Sequence, residues 1–306
     1  MKFIYKIKHR ISQFKEHPLI SYPSFRIVKY IYINIKLRYF KKQIIVKWLN
    51  DLKYHLSIGD SSMIGNYYFI LNDYTESIFL LYYLNPLDTF IDIGSNHGHY
   101  TLLASGIIGN STISIEPVKD TFSRLKSNIE INKLNNITLL NIGLSNTVGE
   151  LRISNNKGSM NKILKNQTNN NFETIKVTTL DKISENIHNL SIIKIDVEGY
   201  EKYILEGGFK TLKNKNLMVI IIELNEYTNY YDYNEMDIIE ILKKFQFKPY
   251  RFLTKTKELI ELKSKNDDSF NTIFIRDIDK VREKINNKSI SFQNYKGCQI
   301  KVLRTI

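Results

Sequence analysis

Three short stretches of the chain gather side chains suited to ligand binding and proton transfer. The first is Asp92-Ile93-Gly94-Ser95-Asn96-His97-Gly98. Gly94 and Gly98 lack a Cβ, so the backbone there can turn tightly and approach a ligand closely. A helix opening just behind them would offer its first amides to an anionic group. The second is Glu116-Pro117, about 24 residues beyond Asp92, near the ~20 at which an acid meets ribose hydroxyls in nucleotide-binding sheets. The glycines are spaced GxxxG, not the GxGxxG that cradles a pyrophosphate, and an acid closes the strand ahead of them. A ligand with one carboxylate, one ammonium and a ribose needs fewer close amides and an acid beside its amine. S-adenosylmethionine has that arrangement. A nicotinamide-type dinucleotide site and a purely structural loop are the other readings of these residues.

The third stretch is Lys194-Ile195-Asp196-Val197-Glu198-Gly199-Tyr200-Glu201. Side chains alternate along a strand, so Lys194, Asp196 and Glu198 share one face or edge. Buried charges are costly unless paired or employed, which makes three of them at the end of an apolar strand a candidate site. The structural reading is a Lys194–Asp196 pair, with Glu198 favouring the start of the next helix. Glu223 ends another apolar run and reads equally as structure or as site.

Ligands of open α/β sheets sit beyond the carboxyl ends of the strands, where strand order reverses. The chemistry therefore requires parallel strands that end together. Phe90–Gly94, Thr112–Pro117, Ile137–Ser145, Ser191–Gly199 and Leu217–Leu224 read as such strands. Helices are predicted over Tyr100–Ile108, Lys119–Asn132, Tyr200–Leu212 and Asn234–Phe245, and closing strands over Lys248–Leu253 and Asn271–Arg276. Glu150–Ser154 and Glu173–Thr179 read as a hairpin around an Asn-rich stretch with Gly158-Ser159-Met160, a lid or a plain surface loop. Ahead of the sheet a helix is predicted for Ile27–Leu52. Short strands follow with turns at Gly59 and Asn66, then a helix over Glu76–Leu84. Apolar strands alternating with helices argue an α/β domain with a mostly parallel, two-sided sheet.

DTFIDIGSNHGHYTLLAS, SIEPVKDTFSRLKSNIEIN, NIGLSN, VTTLDKI and IIKIDVEGYEKYILEGG, in that order between about Glu76 and Glu226, resemble the FkbM family of class I S-adenosylmethionine-dependent methyltransferases. KIDVEG-x-E together with the EP strand end is far more specific than the glycine loop. The resemblance implies a Rossmann-like, doubly wound, mostly parallel seven-stranded sheet in residues 76–306, with an Asn-rich insertion at about 154–172. A basic helical or mixed extension, 1–75, precedes it. It also implies that Asp92, Gly94, Asn96 and Gly98 cradle the methionine part of the cofactor and that Glu116 holds its ribose. Asn141, Gly143 and Leu144 would lie near the adenine. Asp196 and Glu198 would line the side where methyl and acceptor meet. Ser95 stands where the family loop, DxGANxG, carries Ala. His97 and His99 stand where members mostly carry apolar or aromatic residues, and they read as packing or rim residues rather than a His-x-His metal pair.

An alcohol acceptor sheds its proton as the new bond forms, which calls for a nearby base. Asp196, oriented by Lys194, suits that role. A divalent metal such as magnesium, held by Asp196, Glu198 or Glu223, is the second reading, because hard cations take oxygen ligands. The chain lacks the Asn/Asp-Pro-Pro-Tyr string that enzymes methylating base amines often carry at this strand end. The expected reaction is O-methylation of a sugar hydroxyl in a glycan, glycolipid or glycosylated metabolite. The rivals are an RNA methyltransferase using the basic arm and a non-catalytic binding protein that retains the fold.

Of the 306 residues 42% are hydrophobic and 25% charged, values of a soluble globular protein that exclude wholesale disorder, collagen and coiled coil. The single cysteine, Cys298, excludes an intramolecular disulfide framework and a multi-cysteine zinc site. No run reaches the ~18 apolar residues of a membrane span, and the charged start lacks the core of a signal peptide. A cytoplasmic protein is expected. The net charge is +13, yet residues 1–53 hold 13 bases against Glu16 and Asp51, so the rest is nearly balanced. Basicity confined to one segment argues against a nucleic-acid partner. It suits a phosphate-bearing glycan or a peripheral contact with the inner face of an anionic membrane, or a merely solvated lead-in. Oligomeric state has no signature in the sequence.

Overall fold

A computed structural model describes residues 10–40, 43–57, 60–155, 160–165, 171–293 and 299–301. Those up to Tyr74 pack with 291–301 as one unit, and Thr75–Ile290 form another.

The first unit contains helix α1 (Pro23–Phe40), a hairpin of β1 (Ile44–Lys47) and β2 (Lys53–Leu56), and helix α2 (Ser61–Phe69). The predicted helix to Leu52 thus stops at Phe40. Ile44–Lys47 alternates between half-buried and exposed, the period of an edge strand, and a turn through Asn50 at φ +46 reverses the chain. Asn66, expected at a turn, lies inside α2, where its Oδ1 accepts from the Asn72 amide at 2.8 Å. Tertiary packing here overrides a weak local preference. Gly59 lies outside the described residues, as does Cys298. Strands Ser291–Gln293 and Gln299–Lys301 pair antiparallel.

The second unit begins within the first turn of α3 (Tyr74–Tyr83), which leads to β3 (Thr89–Ile93). Next come α4 (His99–Leu102), continued as a π-turn to Ile108, then β4 (Ser111–Ile115), α5 (Lys119–Glu130) and β5 (Ile137–Leu140). A side sheet follows: β6 (Gly143–Leu144), β7 (Gly149–Ser154) and β8 (Phe172–Thr178), in the order β6-β8-β7. The chain returns through α6 (Leu180–Ser184) to β9 (Leu190–Ile195), α7 (Glu201–Glu206), α8 (Phe209–Lys213) and β10 (Val219–Glu223). It ends with α9 (Glu235–Lys244), β11 (Lys248–Leu253), β12 (Glu258–Glu261), β13 (Asn271–Ile275) and α10 (Ile278–Asn286).

The main sheet has the order β12-β11-β13-β10-β9-β3-β4-β5. Strands β5, β4, β3, β9 and β10 are mutually parallel, while β13 runs antiparallel to both β10 and β11. This is the Rossmann-like, doubly wound arrangement expected, its seven strands joined by β12 as an eighth at the edge. Strand β9 is buried at every position and β10 at all but Glu223. Ile193, Ile195, Ile220, Ile222 and Phe274 share one apolar core, which is why these strands read as unbroken apolar runs. After β5 the chain crosses to the other side of β3, so strand order reverses between β3 and β9.

Two predicted elements divide. The third strand splits into β5 in the main sheet and β6 in the side sheet. The helix Tyr200–Leu212 divides into α7 and α8 at Gly207-Gly208, where a Cβ on Gly207 would stand 2.2 Å from the Ser145 carbonyl oxygen. Of the Asn-rich stretch, Gly158 and Ser159 lie outside the described residues, while Ile163 bridges to Ile153 on β7. Among the described residues no helix is long and apolar enough to cross a membrane.

Candidate active site

The reversal point brings Asp92 opposite Lys194 on one side and Ser114 on the other. Asp92 Oδ2 accepts from Thr101 Oγ1 at 2.6 Å, and that hydroxyl also meets Ser114 Oγ. Burial pushes the Asp92 carboxyl up to about 6, against the pull of Thr101 and Lys194. Beyond it the Gly94 and Ser95 amides both donate to the Ile115 carbonyl, at 2.9 and 3.0 Å. Gly94 has φ +78, and a Cβ on it would stand 1.9 Å from the Asp196 carbonyl oxygen. Its glycine is therefore required by the neighbouring strand end as well as by any ligand. Asn96, at φ +50, donates its amide to Glu116 Oε2 at 3.0 Å. Its own Oδ1 is buried with no hydrogen-bond partner among the described residues.

Glu116 accepts a second amide, from Val118, at 3.0 Å, and burial pushes its carboxyl up to about 7. Asn141 Nδ2 donates to the carbonyls of Glu116 and Pro117, at 2.9 and 3.0 Å, and so braces this strand end. Asp92, Gly94, Asn96, Glu116 and Asn141 form one contiguous group. Gly98 opens α4 at φ +93, its Cα turned toward Leu125. Gly143 and Leu144 pair with Val177 and Thr178 of β8.

Lys194 is 1% exposed. Its Nζ donates to Asp196 Oδ2 at 3.1 Å and lies 5.5 Å from the Tyr100 ring centroid. The Asp196 amide is fixed on the Ile93 carbonyl at 3.0 Å, while its side chain is 35% exposed. One end of the pair is thus buried and the other faces outward. Glu198 adopts φ +56, a strained conformation for a non-glycine residue that tends to mark functional turns. Glu201 holds the turn: its Oε1 accepts the amides of Val197 and Gly199, at 3.3 and 3.1 Å.

Carboxylate oxygens of Asp196, Glu198 and Glu223 lie within 4.8 Å of one another. Burial, then repulsion from Asp196, pushes Glu198 up to about 8 and Glu223 well above the carboxylate range. Asp92, Glu116 and Glu201 are raised as well, each chiefly by burial. Lys194 opposes this at Asp92, Glu198 and Glu223 but does not cancel it. The site is short of positive charge. A ligand that brings cationic groups and hydroxyls fits it, and the lone Asn96 Oδ1 has capacity to accept a hydrogen bond.

His99 is buried, bonded through Nε2 to Ser77 Oγ at 2.8 Å, and burial pulls it down to about 3. Burial and Arg124 pull His97 down to about 4. Neither belongs to the carboxylate group close enough to share a metal ion. Sequence reasoning assigned no role to Tyr100, Thr101 or Ser114. Of these only Thr101 and Ser114 left a faint signal, as hydroxyls within apolar segments.

The family model described as Methyltransferase FkbM domain matches residues 92–252, more than half of the chain. The hexuronic acid methyltransferase AglP of Haloferax volcanii is 28% identical over 137 residues, which are 44% of this chain and 56% of that protein. The match thus spans little more than half the length of that curated relative. Among solved structures, a precorrin-6y C5,15-methyltransferase from Geobacter metallireducens matches with TM-score 0.37 and 11% identity, over 66% of this chain and 85% of its own. An rRNA methylase from Streptococcus thermophilus matches with TM-score 0.39 and 10% identity, over 66% and 93%. Similarities that distant carry nothing about chemistry.

Proposed function

We propose that this chain, which belongs to the FkbM methyltransferase family, moves the methyl group of S-adenosylmethionine to a hydroxyl of a sugar in a glycan, glycolipid or glycosylated metabolite. The observation that carries the reading is the Lys194–Asp196 pair at the reversal point, buried at the ammonium and open at the carboxylate. When bound, the cofactor supplies a methyl already activated on a sulfonium. Asp92, Gly94, Asn96 and Gly98 would hold its amino-acid end. Glu116, fixed by two backbone amides, would accept from ribose hydroxyls, and Asn141, Gly143 and Leu144 would border the adenine. The charge shortage of the strand ends favours a cationic donor over a dinucleotide phosphate.

Asp196 would take the proton of the acceptor hydroxyl. Lys194 holds Oδ2 and fixes the carboxylate plane, leaving Oδ1 for the acceptor. Correct placement of the two reactants supplies most of the acceleration in such a displacement, with the base adding about 10²–10⁴-fold. The hexuronic acid named for the Haloferax relative supports a sugar acceptor. The test is release of S-adenosylhomocysteine in the presence of uronic acids, neutral sugars, cell-envelope glycans and RNA. Turnover with a sugar or glycan is the expected result. Turnover with RNA alone, or cofactor binding without turnover on any acceptor, would overturn it.

A second reading rests on the convergence of Asp196, Glu198 and Glu223. Their oxygens would hold a divalent cation that polarises the acceptor hydroxyl. Loss of activity in EDTA with recovery in magnesium favours the cation, and full activity in EDTA favours Asp196 acting alone.

A further inference from the structure

The unit that ends at Tyr74 encloses a cavity of about 310 Å³ between α1, the β1–β2 hairpin and α2. Arg26, Lys29 and Lys36 of α1 and Lys47 of β1 line it, and no acid does. Tyr54 stands in its wall. It is 0% exposed, and its hydroxyl has no hydrogen-bond partner among the described residues. The ring is held edge-on against Trp48, with centroids 5.8 Å apart, and the Trp48 indole N–H is engaged by the Ile70 carbonyl. Arg26 and Tyr67 lie near enough to act electrostatically on the Tyr54 hydroxyl. A buried hydroxyl left without a partner is destabilising and calls for an explanation. Here the residue that carries it lines a cavity ringed by four cations, which fits an anionic ligand.

The outer face of α1 says what carries that anion. Phe25 (51% exposed), Val28 (63%), Tyr32 (56%), Ile35 (51%) and Tyr39 (81%) recur every three or four residues and so form one stripe. The cations of the cavity border it: Lys29 Nζ lies 5.4 Å from the Phe25 ring centroid and Lys36 Nζ 5.6 Å from that of Tyr32. Lysine stems laid along an apolar face beside aromatic rings are the pattern of a helix lying in a lipid interface. Residues 1–53 carry nearly all of the net charge, complementary to anionic headgroups. We propose that this cavity receives the phosphate of an anionic phospholipid while the α1 stripe rests among the acyl chains, so that the unit docks on a membrane surface. The proposal draws nothing from the transfer chemistry of Thr75–Ile290, and its failure would leave that reading untouched.

The test is co-sedimentation of the full chain with vesicles of phosphatidylcholine alone, or with about 30 mol% phosphatidylglycerol, with sn-glycerol 3-phosphate as soluble competitor. Binding should require the anionic lipid. Tyr54→Phe removes only the hydroxyl. Without lipid it should melt at the same or a higher temperature, and it should bind anionic vesicles at least about fivefold more weakly, as for a lost hydrogen bond to a charged group. Lys29→Glu with Lys36→Glu should lower binding by more than about tenfold. Equal binding to neutral vesicles, wild-type vesicle binding by Tyr54→Phe, or binding of glycerol 3-phosphate with none to vesicles would each overturn the proposal.

Discussion

Gly94 lies so close to the main chain of Asp196 that a Cβ on it would stand 1.9 Å from the Asp196 carbonyl oxygen. The loop that would hold the cofactor and the strand end that would carry the base are therefore one mechanical piece. Gly94→Ala must push these backbones apart in addition to straining a residue at φ +78. A loss of roughly 3 kcal/mol or more is expected, read as a shift of the denaturant midpoint, together with loss of S-adenosylhomocysteine binding. Gly109 provides the control. Its φ is +81 and nothing lies within 4 Å of its would-be Cβ, so Gly109→Ala should cost only about 1–2 kcal/mol. Equal costs at the two positions would remove the steric argument.

Glu116 has two duties. It accepts the amides of Asn96 and Val118, and it would face the ribose. Glu116→Ala should lower S-adenosylhomocysteine affinity by about 10–100-fold, the loss of one or two hydrogen bonds to a charged group, and should reduce Tm by several degrees. Calorimetric titration separates the two effects. Unchanged affinity beside a lowered Tm would make Glu116 a brace and nothing more.

Much of this arrangement could be read from the residues because the buried parallel strands announce themselves. Ile193, Ile220 and their neighbours are packed on both faces, so the runs are continuous and their ends carry Asp92, Glu116 and Asp196. What escaped depended on contacts remote in sequence. Position 207 must be glycine because the Ser145 carbonyl approaches it, and Asn141 braces Glu116 across neighbouring strands. Strand β1 falls inside the helix predicted for Ile27–Leu52, although Ile44–Lys47 alternates in burial as an edge strand does. Helix α10 was passed over although Asp277 caps it by accepting the Lys280 amide at 3.2 Å, a signal that was available in the sequence.

Asp196→Asn retains the shape and the backbone bond to Ile93 while removing the basic oxygen. Affinity for S-adenosylhomocysteine should stay within about threefold of wild type, and kcat should fall by about 10²–10⁴-fold. Glu223 reaches the same point from β10 but is pushed toward its protonated form by burial and by Asp196. Glu223→Gln should therefore cost far less than Asp196→Asn if a base does the work. The two should cost alike if both carboxylates hold a cation. Normal turnover by Asp196→Asn on an identified acceptor would sink both roles.

The charge shortage of the site has a pH signature of definite sign. Glu116 and Glu201 are raised to about 7 and Glu198 to about 8, each first by burial. A carboxyl raised in the folded state favours the fold while it is protonated and loses that contribution as pH rises through its folded pKa. The unliganded protein should therefore melt at a lower temperature at pH 8 than at pH 7. Groups of opposite sign act weakly in that window. His97 and His99, lowered to about 4 and 3, act mainly below pH 6.5. The depressed carboxyls Glu261 and Asp277 act lower still, and Lys288, lowered to about 8, works the other way within the window but is one group against three. A permanent positive charge in the site favours the ionised acids. The Tm rise from S-adenosylmethionine should then exceed that from S-adenosylhomocysteine by more at pH 8 than at pH 7, the amino group common to both ligands cancelling in the comparison. A difference that shrinks with pH would mean that the sulfonium does not lie among these carboxylates.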